Sequence, residues 1–358
     1  MEMKSYLAEK LSKMLFLEIK KGKIFEIFKV RVDENIYVPL KSKCLVEEVK
    51  QSEDVDNIHI IFFLEGMFFV LGADESFKYN NEYKNMLDNI PKSEDYIKGR
   101  IFEEIKRENY EDAYVLLKGL LTLEESKDIY DKLILILENL RQKDKMYKEE
   151  ELNIIERAKK LEGYEKPYLY ESIIKKEDND FKAAWHALDK YISMGGEKTT
   201  DIIEYKNSLK DILSFEEGKK LIYKNPKEAL TKLIPIMNKL EDNPTVYYYV
   251  AVAYRMLENY DKAIYYLNKA LEIDNGLIDA VNELAINYAA LENYDIAIKY
   301  LRKAFEVEKS IEICTNLIMC YLNKGDLEQV QNHIDIAKKI DPEDKILKEI
   351  EDYLSKHN

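Results

Sequence analysis

"ENYDKAIYYLNKALEID" occupies Glu258–Asp274, and "ENYDIAIKYLRKAFEVE" follows at Glu292–Glu308, 34 residues further on. A weaker copy, "ENYEDAYVLLKGL", begins at Glu108. Ala263, Leu267 and Ala270 in the first copy, and Ala297, Leu301 and Ala304 in the second, fall three or four residues apart. That is the period of a helix with one buried stripe. A helix written twice at a fixed interval is a building unit rather than a catalytic signature.

Working outward, three units begin at Pro244, Ile278 and Ile311. The first carries Tyr247, Val250, Ala251, Tyr254, Ala263, Leu267 and Ala270. The second carries Val281, Leu284, Ala285, Tyr288, Ala297, Leu301 and Ala304 in the same slots. The third carries Cys314, Leu317, Ile318, Tyr321, Val330, Ile334 and Ala337, and closes with Pro342. Ile318 and Val330 replace alanines, so the helices of that unit are expected to sit further apart. Spacing and pattern resemble the tetratricopeptide repeat (TPR).

The resemblance implies an all-α, right-handed superhelical solenoid of antiparallel helix pairs. Alanines let two helix axes approach, while Tyr and Leu fill the space beside them. One pair cannot bury its apolar face alone, so stability is a sum of neighbour interfaces. A large side chain at Ala263 or Ala297 is expected to overpack the crossing, at a cost of about 1–3 kcal/mol. Asn225-Pro226 and Asn243-Pro244 each read as an N-cap before a proline in the first turn, and Asn259 as the cap of a second helix. Asp341-Pro342 reads the same way for a terminal helix whose inward residues are Ile346, Ile350 and Leu354.

Weaker copies lie upstream. A unit starting at Glu165 puts Tyr168, Ser172, Ala184, Leu188 and Tyr191 in the repeat slots, and "NPKEALTKLIPIM" fits a second helix with Ala229 and Leu233. Between them "TTDIIEYKNSLKDILSFEEGKKLIY" is too long for a standard first helix. It reads as one long helix or as two with a kink near Ser214. The expected organisation is an N-terminal cap or small domain over 1–91, degenerate repeats over 92–243, three tandem units over 244–342 and a capping helix over 343–358.

Within 1–91, "YLAEKLSKMLFLEI" reads as helical. "IFEIFKVRVDENIYVPL" alternates apolar and polar residues around Asp33-Glu34-Asn35, the pattern of a short β-hairpin. "SKCLVEEVK" reads as a helix begun at Ser42. "IHIIFFLEGMFFVLG", Ile58 to Gly72, is shorter than the roughly 18 residues needed to cross a bilayer. It reads as a buried core helix, with a strand pair broken at Glu65-Gly66 as the alternative.

Composition agrees. Of 358 residues, 46% are hydrophobic and 35% charged, which fits a globular chain with a heavily charged surface. Eleven Gly and seven Pro favour long helices joined by short turns. The formal net charge of -14 argues against nucleic-acid and anionic-membrane partners. Cys44, Cys314 and Cys320 form no disulfide framework, and "MEMKSYLAEKLSKMLF" lacks the apolar core of a signal peptide, so a cytoplasmic protein is expected. The 27 Tyr, with many Lys, Ile and Asn, fit AT-rich codon usage.

Catalytic chemistry is sparse. His59, His186, His333 and His357 are scattered, with no metal-ligand spacing. Cys314 and Cys320, six apart, lie about 240° around a helix from each other. No glycine-rich loop cradles phosphate, and no nucleophile elbow is present. No catalytic residue, metal or cofactor is expected, and the chain reads as no enzyme.

The TPR resemblance implies instead a concave groove lined by the first helix of each unit. Carried over, the lining is Thr245, Tyr248, Val252, Arg255 and Met256, then Asp279, Asn282, Ile286 and Ala289, then Glu312, Thr315, Met319, Leu322 and Asn323. The apolar members read equally as packing against the next helix. Relatives that hold chaperone tails place Lys and Asn in a carboxylate clamp; here Tyr248, Val252 and Glu283 stand in those slots, so no clamp is expected. The function implied is an adaptor binding a protein or peptide segment. The alternatives are a ligand-sensing regulator resembling the TPR pheromone receptors of Gram-positive bacteria, although Met1–Pro91 has no helix-turn-helix, and an enzyme using His59, Glu65 and Cys44.

Overall fold

Helical periodicity carries through most of the chain. The computed structural model describes residues 3–40 and 60–357, and among them are 19 helices and two strands. The helix expected from Ser42, with Cys44 and His59, lies outside the described residues. The chain divides into two compact units, Met1–Ile202 and Ile203–Asn358.

The first unit runs α1 (Met3–Ser12), β1 (Leu15–Ile19), α2 (Lys21–Phe28), β2 (Ile36–Leu40), α3 (Ile60–Ala73), α4 (Asn80–Asp88), α5 (Ser93–Lys106), α6 (Tyr110–Leu121), α7 (Lys127–Lys143), α8 (Tyr147–Ala158), α9 (Lys166–Glu177) and α10 (Phe181–Ser193). The expected antiparallel strand pair is present, but it recruits different residues. β1 comes from the segment read as helical and pairs Leu15 with Leu40 and Ile19 with Ile36. Ile24 to Phe28, read as the first hairpin strand, is helical. Ile24 and Phe28 are four apart and both buried, so burial at helical spacing overrides their β-propensity.

α3 is the buried helix, not the strand pair: Met67, Phe68 and Val70 are fully enclosed. Its buried Glu65 accepts from Arg100 Nε at 2.9 Å. α3 crosses α6 backbone to backbone. A Cβ on Gly72 would lie 1.9 Å from the Val115 carbonyl oxygen, and one on Gly119 would lie 2.0 Å from that of Phe68. One continuous core extends from Leu7 to Ile174 and encloses Tyr83, Tyr114 and Tyr130.

The second unit takes in most of α11 (Thr200–Leu221), which is a single continuous helix. It continues with α12 (Pro226–Met237), α13 (Pro244–Met256), α14 (Tyr260–Ile273), α15 (Ile278–Ala290), α16 (Tyr294–Val307), α17 (Ile311–Lys324), α18 (Leu327–Ile340) and α19 (Lys345–His357). Consecutive helices pack as antiparallel pairs, with Ala251, Ala263, Ala285 and Ala297 fully buried. Each repeat also stacks a ring of its first helix on a ring of its second. Tyr254 meets Tyr266 at 5.4 Å and Tyr288 meets Tyr300 at 5.9 Å, both nearly parallel; Tyr321 meets His333 at 5.1 Å and 38°.

The "EN" that opens the quoted stretches is the turn between paired helices. Glu258 and Glu292 adopt left-handed φ of 58° and 62°. The Glu258 and Asn259 amides donate to the carbonyls of Arg255 (2.8 Å) and Tyr254 (3.0 Å), ending α13 in a Schellman motif. Asn259 then caps α14, accepting from Lys262 N at 3.3 Å. Glu108-Asn109, Asn179-Asp180 and Gly325-Asp326 close the corresponding amide bonds with a left-handed first residue, so five turns obey one rule.

Asn225 and Asn243 cap their helices as expected. The last helix differs by a shift of phase. Asp341 makes a turn with Glu343 N (2.9 Å), and Asp344 is the cap, accepting from Leu347 N at 2.8 Å. The helix therefore turns Leu347 and Ile350 inward and leaves Ile346 half exposed. No described helix is long and apolar enough to cross a membrane.

Candidate peptide-binding groove

The first helices α13, α15 and α17 present the residues expected to line a groove. Thr245, Asp279, Glu312, Met319 and Asn323 are exposed. Tyr248, Arg255, Met256, Ile286, Ala289 and Leu322 are half-buried. Val252 and Thr315, each only 2% exposed, and Asn282, at 8%, pack inside the array, so a ligand on this surface meets none of the three directly. Thr315 Oγ1 donates back to the carbonyls of Ile311 (3.1 Å) and Glu312 (3.0 Å), which consumes its hydroxyl.

Polar side chains tie each first helix to the next. Arg255 Nε on α13 donates to Glu283 Oε1 on α15. Asn287 Nδ2, one turn along, donates to the Glu283 carbonyl at 2.7 Å and to its carboxylate at 3.4 Å. Asn282 Nδ2 donates to Glu312 Oε1 of α17 at 2.8 Å, and Asn316 Nδ2 donates to Asn282 Oδ1 at 2.9 Å. Asn282 thus uses both ends of its amide across one repeat boundary.

Electrostatics follow from this burial. Enclosure pushes the Glu283 carboxyl up, and the Arg255 guanidinium opposes the rise. Burial also raises the Tyr248 hydroxyl, with the carboxylates of Glu283 and Asp279 adding to it. Tyr248 packs edge-on against Tyr249, with ring centroids 5.1 Å apart. Near the start of α13, a cavity of about 500 Å³ is floored by Ile212, Phe215, Ile236, Leu240 and Val246.

The sequence-based lining omitted Glu283, Asn287 and Asn316 as members of this surface network. Their signal lay in comparing slots. Glu283 and Asn316 follow Asn282 and Thr315 directly, as Tyr249 follows Tyr248. Asn287 replaces Ala253 and Cys320, which are small buried residues in the same slot. A polar residue in an otherwise small, apolar column requires a hydrogen-bond partner, and here it is Glu283.

Two family models described as tetratricopeptide repeat match residues 244–276 and 278–310. No curated protein matches the sequence. Among solved structures, the MamA protein is 18% identical over 50% of this chain and 92% of its own, with a TM-score of 0.37. YrrB, titled a TPR protein with an unusual peptide-binding site, is 17% identical over 55% of this chain and 96% of its own, with a TM-score of 0.39. TTC0263 of Thermus thermophilus, titled a thermophilic TPR protein, is 18% identical over 51% of this chain and 95% of its own, with a TM-score of 0.33.

Proposed function

Because this chain is a tetratricopeptide-repeat protein, we propose that it is an interaction adaptor that holds an extended segment of a partner protein across α13, α15 and α17. The observation that carries the reading is the row of amides and acids bridging successive first helices, Asn282 to Asn316 and Glu312, and Arg255 to Glu283. Asn282 spends both ends of its amide inside this row and so fixes the spacing of α15 and α17, while the exposed Asp279, Glu312 and Asn323 beside it are the polar groups that a partner's backbone meets. Tyr248, Ile286, Met319 and Leu322 supply apolar contact beside the row. The Met and the aromatic ring adapt to varied side chains.

The charge of the surface narrows the partner. Asp279 and Glu312 are exposed carboxylates, and Arg255 is already engaged by Glu283. A segment bearing Lys or Arg is favoured, and an acidic tail is repelled.

The test is affinity capture from the native organism, with the captured proteins identified by mass spectrometry. Tyr248→Ala combined with Met319→Ala should lose the specific partner while circular dichroism keeps its helical signal. Equal capture of the same proteins by the double variant would remove the groove from the account.

A further inference from the structure

The first unit holds a cleft of about 580 Å³ that the adaptor reading does not use. Its apolar wall is a stripe of α1, Met3, Leu7 and Leu11, spaced four residues apart, together with Ile154 of α8. Its polar wall gathers Lys118 from α6, Arg157 from α8 and Glu75 from the turn after α3. Glu150, Ile154 and Arg157 reach this cleft together because residues three and four apart share a helix face.

The charges divide into a fixed set and a loose one. Lys118 is only 12% exposed on its side chain, and its Nζ lies 2.9 Å from Glu150 Oε1. The same carboxylate oxygen accepts from the Tyr114 hydroxyl at 2.6 Å. Burial would raise the Glu150 carboxyl, but Lys118 and Tyr114 hold it below its ordinary value, so this pair stays charged. Glu75 is different. Its side chain is 63% exposed, and one oxygen stands 3.7 Å from Lys118 Nζ and 3.5 Å from Arg157 Nη1. Charge-assisted bonds close to about 2.7–2.9 Å, so Glu75 bridges two cations without closing on either. An exposed ion pair of this kind contributes little stability.

We propose that this cleft binds a small amphipathic monocarboxylate, whose carboxylate displaces Glu75 from between Lys118 and Arg157 and whose apolar body lies along Met3 and Leu11, over the buried Leu7 and Ile154. The charge count supports one carboxylate. With Glu75 swung out, Lys4, Lys118 and Arg157 face Asp74 and Glu150, which leaves one positive charge to neutralise. Asp74 is also committed to its own turn, accepting from Ser76 N at 2.9 Å and Ser76 Oγ at 2.7 Å. The volume falls in the range of about 300–1,000 Å³ usual for small-molecule sites.

Isothermal titration of the full chain with octanoate tests this, with octanol as the uncharged probe and acetate as the chainless one. Octanoate should bind one saturable site, and neither control should match it. Arg157→Gln should weaken octanoate roughly tenfold through the lost charge-assisted bond. Glu75→Gln should tighten it severalfold by removing the internal competitor. The Glu75 side chain is exposed and that of Arg157 partly so, and each variant should keep its helical content. Failure of octanoate to bind the full chain would overturn the proposal. So would equal binding of octanol, or octanoate affinity that neither substitution changes.

Discussion

The two units hold themselves together in opposite ways. The first has one continuous core, in which large side chains from α1 to α9 enclose Tyr83, Tyr114 and Tyr130. It brings α3 and α6 into contact through Gly72 and Gly119, with almost no tolerance for an added atom. The second unit has three clusters in succession along its helices, joined by partly buried tyrosines such as Tyr254 and Tyr288 at their boundaries. Its crossings use alanine, with a stacked ring pair beside each. A shared core makes every residue depend on every other, whereas a repeat depends only on its neighbours. The first unit should therefore unfold as a block, and the second by increments.

Three substitutions press on that difference. The largest effect is expected at Gly119→Leu, which drives a branched side chain into the Phe68 carbonyl. Overpacking usually costs about 1–3 kcal/mol, and backbone that cannot yield puts this site at or above the top of that range. Hydrogen exchange should show protection lost across residues 60–174 together, with the α13–α18 amides unchanged. Loss confined to α6 would break the single-core account.

Ala297→Leu comes next, at about 1–3 kcal/mol. Here exchange should quicken in α15, α16 and α17 and remain slow in α12. Uniform loss through the second unit would mean that its repeats are coupled as tightly as a single core.

The smallest effect is a pH dependence. Buried Glu151 in α8 pairs with Arg141 Nε at 2.6 Å, yet burial pushes its carboxyl up to about 7. A carboxyl raised on folding favours the native state when protonated. Its contribution is full below its unfolded value and is lost as pH rises through about 7. Acidifying from about pH 8 to about pH 6 should stabilise the first unit by about 1 kcal/mol. Glu151→Gln should flatten that slope in thermal melts; an unaltered slope would place the titration elsewhere.

How much of this was legible varied with the locality of the signal. Asn225, Asn243 and Asn259 act within three residues of themselves, and their capping was readable. Ala263 and Ala297 declared the crossings because the same slot recurred. The residue pattern alone misplaces the β1–β2 pair, because Leu15–Ile19 has no decisive local period and becomes a strand only by meeting β2. The four-residue spacing points Ile346 inward, whereas Leu347 is buried, because one cap, Asp344 rather than Asp341, fixes the phase of the whole helix. The residues proposed to line a groove on α13, α15 and α17 form a set of recurring slots in the sequence. Val252 and Thr315 were not separable from the exposed ones, since exposure depends on what the neighbouring helix covers.

The repeat, its period and its capping asparagines follow from the order of residues alone. Each rests on short-range geometry: a helical stripe, a fixed interval and a capping oxygen. Only the tertiary structure decided which residues meet across distance. The Gly72–Gly119 contact, the Asn282–Asn316 bridge and the loose Glu75 between Lys118 and Arg157 all join residues that no local pattern relates. Packing fixes such partners because burial rewards whichever surfaces fit, and that fit is a property of the folded chain rather than of any one segment.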